Sequence, residues 1–182
     1  MWESPCVVVV DMLEDFVRGK LAAREALKII DPIRDLTSMA RSMQKPVIYV
    51  GDAHFPHDPE IAIWGEHAMK GSEGASVIKE LAPLPGDIVL EKRTYSGFRE
   101  TGLDLILRSL KIDCLILVGL HTHLCIRHTA ADAFFLNYPI VIPVDCVCAF
   151  STQEHESALE YLHKFYGAEL TTSQSLRERW KT

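Results

Sequence analysis

Four polar side chains that could carry covalent chemistry each follow an apolar run of the sequence. Asp11 follows VVVV and Asp52 follows VIYVG. Lys92 follows DIVLE, and Cys125 comes a few residues after LILVG. If these runs are parallel strands, their carboxyl ends meet at the edge of the sheet where ligands bind in open α/β folds. A strand-end Asp is by itself more often a turn residue or a helix cap, so the convergence of thiol, carboxylate and ammonium carries the prediction of a nucleophilic site.

Cys125 is the candidate nucleophile of this group. Small and apolar residues continue from it at helical spacing and predict a helix over residues 125–137. A thiol at a helix N-terminus and near a lysine is expected to have a lowered pKa, because the unpaired backbone N–H groups and the ammonium favour the thiolate. The sequence therefore predicts an activated cysteine at this position.

The other four cysteines are expected to be structural. The total of five is odd and fits reduced thiols better than a disulfide framework. Cys6 and Cys114 lie in or beside apolar strand candidates, where a cysteine acts as a small buried hydrophobic residue. Cys146 and Cys148 form a C-x-C pair that could bind metal or act as a redox couple, but the pair lacks the C-x-x-C spacing and a second pair, which favours a structural role.

The elements that must position these residues alternate between strand and helix. The strand candidates are rich in Val, Ile and Leu with little polar alternation, which is typical of strands covered on both faces. Apolar residues between them recur at helical spacing. This alternation predicts an α/β fold, a three-layer α/β/α sandwich, with residues 1–182 forming one domain. The predicted strands cover residues 5–11, 46–51, 87–91, 113–119, 139–145 and 168–171.

One stretch does not follow the alternation. Residues 52–74 contain His54, His57 and His67, together with two prolines and three glycines, and show no sustained period. A long irregular segment directly after a strand is usually functional, and in a parallel sheet it would lie at the edge that carries the site.

Composition excludes several classes of function. The formal net charge of −6 and the scattered basic residues argue against a nucleic-acid partner. The longest apolar run, residues 6–10, is too short to span a bilayer, and the N-terminus lacks a signal-peptide pattern. We therefore expect a cytoplasmic protein that binds a small molecule and neither nucleic acid nor a membrane.

Three strings of the sequence stand out as motifs: VVVVDMLEDF at 7–16, EKRTYSGF at 91–98 and GLHTHLCIRHTAADAF at 119–134. They resemble the motifs of the isochorismatase-like cysteine hydrolase superfamily, which includes nicotinamidases and N-carbamoylsarcosine amidases. The resemblance implies a Rossmann-like, six-stranded parallel sheet in the order 3-2-1-4-5-6. It implies Cys125 as the nucleophile, Asp11 as the acid/base and Lys92 as the third member of a triad. It also implies a non-proline cis peptide before His121, and an oxyanion hole made by the backbone N–H groups of His121 and Cys125.

The same resemblance implies a metal site in the irregular stretch. Asp52, His54 and His67 match the D-x-H and W-x-x-H pattern that binds zinc or a similar divalent ion in nicotinamidases. His57 is an alternative or additional ligand. No organic cofactor is implied.

A rival metal site is His121, His123 and Cys125, whose alternation would place all three on one side of a strand. The helical period that begins at Cys125, together with the family motif, argues against this rival site.

The resemblance fixes the reaction class more firmly than the substrate. Phe16 and Trp64 match the aromatic residues that sandwich the pyridine ring in nicotinamidases, although Phe16 could equally be a core residue. We expect hydrolysis of a small amide, with nicotinamide first, an N-carbamoyl amino acid second and isochorismate third. A catalytically silent scaffold is the alternative class, and the presence of all three triad residues argues against it. The family usually forms homo-oligomers, so a dimer or tetramer is expected.

Overall fold

The computed structural model describes residues 2–181 and is built around one parallel β-sheet. Its strands are β1 (Pro5–Val10), β2 (Val47–Asp52), β3 (Ile88–Lys92), β4 (Cys114–Leu120), β5 (Ile140–Pro143), β6 (Val147–Cys148) and β7 (Glu169–Thr171). The main path runs β3-β2-β1-β4-β5-β7, and the two-residue β6 pairs with the end of β4. The order 3-2-1-4-5-6 is therefore confirmed when β6 is set aside.

The two central strands are apolar along their whole length because both of their faces are covered. Every residue of β1 and of β4 is buried. Val7 and Val9 belong to the core on one face of the sheet, whereas Val8 and Val10 belong to the core on the other face. The continuous valine run therefore becomes the middle of a three-layer sandwich, as predicted.

Helices complete the two outer layers. Residues of α2 and α7 pack in the core with Val7, and residues of α4, α5 and α6 pack in the core with Val8. None of the helices in residues 2–181 has the length and apolarity needed to cross a membrane. The helices are α1 (Glu14–Val17), α2 (Ile30–Ser42), α3 (Pro59–Trp64), α4 (Leu103–Ser109), α5 (Arg127–Phe135), α6 (Thr152–Tyr166) and α7 (Ser173–Arg179).

The bounds of two predicted elements differ from those in the structure. The strand predicted over residues 139–145 stops at Pro143, since the chain then turns and Asp145 accepts hydrogen bonds from the N–H and the hydroxyl of Ser173 at 2.8 and 2.5 Å. The helix predicted over residues 125–137 is a π-helical turn over Thr122–Ile126 followed by α5. The irregular stretch after β2 contains the short helix α3, and two 3₁₀ turns, Glu73–Ala75 and Lys79–Leu81, complete the connection from β2 to the edge strand β3.

Candidate active site and metal centre

The ends of adjacent strands bring the predicted residues together. Asp52 ends β2 and Lys92 ends β3, and the two are direct partners in the strand register. Asp11 directly follows β1, and its backbone N–H donates to the carbonyl of Val50 at 3.1 Å. Cys125 lies in the turn that follows β4. The parallel sheet therefore places residues from four separate parts of the sequence at one edge.

Gly119 allows β1 and β4 to approach closely beside this edge. Its φ is +111°, a conformation that favours glycine, and a Cβ atom built on it would lie 2.0 Å from the carbonyl oxygen of Val10. Because Val10 and Leu120 flank the residues that carry the site, this contact fixes the spacing between Asp11 and the turn that holds Cys125.

Lys92 is the centre of the charged cluster. Its side chain is completely buried, and its Nζ lies 2.8 Å from Asp11 Oδ2 and 2.6 Å from Asp52 Oδ1. The same Nζ lies 3.5 Å from Cys125 Sγ. Burial would lower the pKa of Lys92, but the two carboxylates raise it well above its usual value. Lys92 is therefore a permanent cation that holds Asp11, Asp52 and Cys125 around it.

The thiol of Cys125 does not have the lowered pKa expected from the sequence. Complete burial raises its pKa well above the usual value. Lys92 opposes this increase, but the charges of Asp11 and Asp52 add to it, and Cys125 Sγ lies within 4.8 Å of a carboxylate oxygen of Asp11. The expectation of a resting thiolate is therefore wrong, because the sequence shows the neighbouring lysine but not the desolvation. The resting group is a neutral thiol beside a carboxylate.

Asp11 is placed to accept that thiol proton. Burial, followed by the charge of Asp52, raises the pKa of Asp11 to about 6, although Lys92 lowers it. Its Oδ1 accepts the backbone N–H of Asp52 at 2.8 Å, which fixes the orientation of the carboxylate. A carboxylate that is ionised near neutrality and has a pKa within reach of it is suited to general acid/base chemistry.

The turn that carries Cys125 is held by its own backbone and by α6. The peptide between Leu120 and His121 is cis, as the family motif implies. The carbonyl of His121 accepts the N–H groups of Leu124 and Ile126 at 3.0 and 3.2 Å. The buried hydroxyl of Thr122 lies 2.9 Å from Nδ1 of His155 on α6. His121 and Cys125, the two residues predicted to supply oxyanion-hole N–H groups, therefore lie in a single anchored turn.

A second cluster lies beside Lys92 in the irregular stretch. Asp52, His54, Glu60 and His67 are all buried, and each offers a ligand atom within 4.8 Å of the others. His54 Nε2 lies 3.5 Å from Asp52 Oδ2 and 3.9 Å from Glu60 Oε2. The structure therefore brings together the three ligands predicted from the sequence and adds Glu60.

The outer nitrogens of both histidines are already engaged. His54 Nδ1 lies 3.2 Å from Asp58, whose pKa is held well below its usual range mainly by Arg93, so Asp58 accepts and Nδ1 carries the proton. His67 Nδ1 lies 2.7 Å from the carbonyl of Gly65 and donates to it. In metal sites, such outer hydrogen bonds orient the ring and leave Nε2 free for the ion.

The residues of this cluster fit a divalent ion. His54 Nε2 and Glu60 Oε1 are buried and have no hydrogen-bond partner among residues 2–181, which is costly unless a cation binds them. Burial, followed by the charge of Asp52, raises the pKa of Glu60 to about 7. Two imidazoles and two carboxylates are a donor set that suits zinc, manganese or ferrous iron.

The alternative ligand assignments do not assemble. His57 is exposed, stacks on Phe55 and lies 3.4 Å from Arg93, so it is not part of the metal cluster. The rival set of His121, His123 and Cys125 does not meet as a ligand group within residues 2–181. These three residues do not alternate along a strand, because β4 ends at Leu120 and a π-helical turn follows.

A small cavity lies between the cysteine and the metal cluster. Phe16 and Trp64 both line it, as the predicted substrate contacts should. Phe16 is also a core residue with 3% exposure. It can therefore be both a core residue and a contact for the substrate. The indole N–H of Trp64 donates to the hydroxyl of Tyr95 at 2.9 Å, which ties α3 to the loop after β3. The other lining residues are Leu21, Asp52, Glu60, His67, Tyr95, His121, Leu124, Cys125 and Phe150.

Three residues of the site were missed in the sequence. Glu60 has a usable signal, because it lies four residues before Trp64 on α3 and the two side chains therefore share one helix face. Asp58 accepts the hydrogen bond from His54 Nδ1. It directly precedes α3, and in the sequence an Asp at this position indicates only an ordinary helix cap. Phe150 packs on His121 at 4.3 Å between ring centroids, and no motif marks it.

Comparison with known proteins identifies the family. A family model described as Isochorismatase domain matches residues 5–175. The chain belongs to the isochorismatase family. This isochorismatase-family chain is 46% identical to the N-carbamoylsarcosine amidase from Thermoplasma acidophilum, with 93% of this chain and 96% of that chain covered and a TM-score of 0.89.

Two further solved structures carry names from the nicotinamidase branch. The nicotinamidase/pyrazinamidase PncA from Bacillus subtilis is 30% identical, covers 92% of this chain and 99% of its own, and has a TM-score of 0.88. The pyrazinamidase of Pyrococcus horikoshii, solved in complex with zinc, is 25% identical over 93% of this chain and 99% of its own, with a TM-score of 0.85. The isochorismatase-family chain is thus an isochorismatase-like hydrolase with structural neighbours in both amidase branches.

Proposed function

We propose that this protein is a cysteine amidohydrolase that cleaves the C–N bond of a small amide through a thioester on Cys125. The observation that carries the proposal is the buried contact of a thiol, a carboxylate and an ammonium, with Lys92 within 3.5 Å of both Asp11 and Cys125. A scaffold protein gains nothing from burying these charges together, since burial of ion pairs is costly in itself.

In the proposed reaction Asp11 first removes the thiol proton of Cys125, and the sulfur attacks the amide carbon. The backbone N–H groups of His121 and Cys125 bind the oxyanion that forms, which contributes about 3 kcal/mol for each donor. Asp11 then gives its proton to the departing nitrogen, and ammonia leaves from the acyl-enzyme. Asp11 next deprotonates a water molecule, which attacks the thioester and releases the acid and the thiol. Lys92 holds the anionic groups in place throughout.

Asp52, His54, Glu60 and His67 would hold a divalent ion, with zinc as the first ion to test. A bound ion of this kind would supply Lewis-acid polarisation or a coordination position for a substrate atom. Asp58 and Gly65 would fix the imidazoles from outside through the hydrogen bonds at Nδ1.

Nicotinamide is the first substrate to test because the buried ligand cluster lies in the wall of the cavity that Phe16 and Trp64 also line. The ring nitrogen of such an amide could coordinate the ion held by the cluster, and its ring could pack between the two aromatic side chains. N-Carbamoylsarcosine is the second candidate, and the 46% identity to the Thermoplasma amidase favours it. Isochorismate ranks third, because cleavage of a vinyl ether does not need the nucleophilic thiol.

The test is release of ammonia from nicotinamide, pyrazinamide and N-carbamoylsarcosine by the zinc-loaded protein. Cys125→Ala should abolish turnover while substrate binding persists, since the thiol acts in the covalent step. Cys146→Ala is the matched control, because Cys146 is equally buried but lies in the turn before β6. Failure of every amide alongside turnover of isochorismate would overturn the proposal, as would full activity in Cys125→Ala.

A further inference from the structure

The first motif carries a second aspartate, Asp15, which has no part in the proposed reaction. Asp15 is half-buried and lies in α1, directly before Phe16. Its Oδ2 accepts the backbone N–H of Ala68 at 2.8 Å, and the two residues are 53 positions apart in the chain. This hydrogen bond therefore connects the short helix after β1 to the irregular stretch that carries the metal cluster.

Ala68 connects the two histidines of the metal cluster. It directly follows His67 in the chain, and its carbonyl accepts the backbone N–H of His54 at 2.9 Å. The carbonyl of His54 in turn accepts the backbone N–H of Lys70 at 2.9 Å. A displacement of Ala68 would therefore move His67 through the covalent chain and His54 through the hydrogen bond.

The backbone of Ala68 has a conformation that an alanine rarely adopts. Its φ is +40°, in the left-handed region that favours glycine, and the residue is completely buried. Such a conformation persists only where the surrounding contacts hold it. The buried N–H of Ala68 also needs an acceptor, because an unpaired buried donor is costly. Asp15 supplies that acceptor and with it one of the contacts that hold the backbone.

Two glycines leave room for the Asp15 carboxylate. A Cβ atom built on Gly74 would lie 2.2 Å from Asp15 Oδ2, and one built on Gly19 would lie 2.5 Å from Asp15 Oδ1. Any larger residue at either position would have to displace the carboxylate or the chain around it. The carboxylate therefore occupies a space that exists because both positions lack a side chain.

We propose that Asp15 is a positioning residue of the metal centre. By holding Ala68 it fixes the relative placement of His54 and His67, whose ring centroids lie 4.7 Å apart. The inference rests on the metal cluster of the function proposed above and adds a residue that lies outside the ligand group. Loss of Asp15 should weaken the binding of the ion without removing any ligand, and outer contacts of metal sites typically change metal affinity by about 10–100-fold.

The test is the dissociation constant of zinc, measured on the metal-free protein by competition with a chromophoric chelator. Asp15→Ala should weaken zinc binding by about tenfold or more. Asp15→Asn keeps an oxygen that can accept the Ala68 N–H, so it should weaken zinc binding by no more than about threefold. Gly74→Ala keeps Asp15 but places a methyl group against its carboxylate, and it should also weaken zinc binding several-fold.

Asp113→Ala is the matched control. Asp113 is also half-buried and accepts the backbone N–H groups of Glu3 and Ser4 at 2.7 and 3.0 Å, but it directly precedes β4, at the end of the sheet opposite the candidate site. Urea unfolding of the metal-free protein should show a loss of stability in both Asp→Ala variants, whereas only Asp15→Ala should change the zinc dissociation constant. A loss of stability in Asp15→Ala with unchanged zinc affinity would overturn the inference. If Asp15→Ala does not fold, wild-type zinc affinity in Gly74→Ala would overturn it.

The outcomes separate this inference from the proposed function, because zinc binding is measured without turnover. A wild type whose zinc affinity depends on Asp15 but which hydrolyses no amide would support the inference and overturn the amidohydrolase. Amide hydrolysis by a protein that binds zinc equally well with and without Asp15 would do the reverse. A wild type that binds no zinc would overturn the inference together with the metal cluster.

Discussion

Removal of the Lys92 ammonium should be the most damaging change to stability at the site. Lys92 lies 2.8 Å from Asp11 and 2.6 Å from Asp52, with all three side chains buried. At an effective dielectric constant of about 20, each contact is worth about 6 kcal/mol of Coulomb attraction, most of which offsets the cost of burying the charges. Lys92→Met keeps the aliphatic volume but leaves two carboxylates without a counter-charge, so the expected loss of unfolding free energy is about 3–5 kcal/mol.

The assay is urea unfolding at pH 8 in the presence of EDTA, so that metal binding does not contribute to the measured stability. With a urea m-value of about 2 kcal/mol/M, the loss corresponds to a midpoint lowered by about 2 M. Asp11→Asn combined with Lys92→Met should recover part of the loss, since one of the uncompensated charges is gone. Lys79→Met, at an exposed lysine, should have no measurable effect. A loss below about 1 kcal/mol for Lys92→Met would refute the electrostatic account of this cluster.

Three further changes test other parts of the structure. His54→Ala should reduce bound zinc below one equivalent by elemental analysis and raise KM, more for nicotinamide than for N-carbamoylsarcosine, and full metal retention would contradict the ligand assignment. Gly119→Ala should lower the free energy of unfolding by several kcal/mol in urea, since its Cβ would meet the Val10 carbonyl at 2.0 Å; a near-neutral effect would show that the strands can separate. Sedimentation should give a homo-oligomer, and a 20.5 kDa particle at micromolar concentration would contradict it.

The strands, and the convergence of Asp11, Asp52 and Lys92 at one edge, could be predicted because each rests on a pattern that is local in the sequence. The strand order was implied by the family resemblance. The valine run before Asp11 is buried on both faces, and such a run leaves few alternatives to a central parallel strand. Once the strands are parallel, residues directly after them must share one edge. This explains why Asp11, Asp52 and Lys92 could be placed together from separate parts of the chain.

The missed features depend on burial and on contacts between distant segments. The sequence shows that Cys125 lies near a lysine and a helix start, both of which lower a thiol pKa. It does not show the complete desolvation that outweighs them. Phe150 lies 25 residues beyond Cys125, and only the packing of its ring on His121 places it in the site. The role of Glu60 likewise depends on the orientation of a six-residue helix.

Asp52 connects the two halves of the site, so the charged cluster around Lys92 and the candidate metal cluster are not independent. Its Oδ1 contacts Lys92 at 2.6 Å, whereas its Oδ2 faces His54 Nε2 at 3.5 Å. The buried group of Asp11, Asp52 and Lys92 carries one more negative than positive charge, and a divalent ion at the histidines would draw on the same carboxylate that holds Lys92. Substitutions on the two sides share this partner, and their effects on activity and stability should therefore be non-additive.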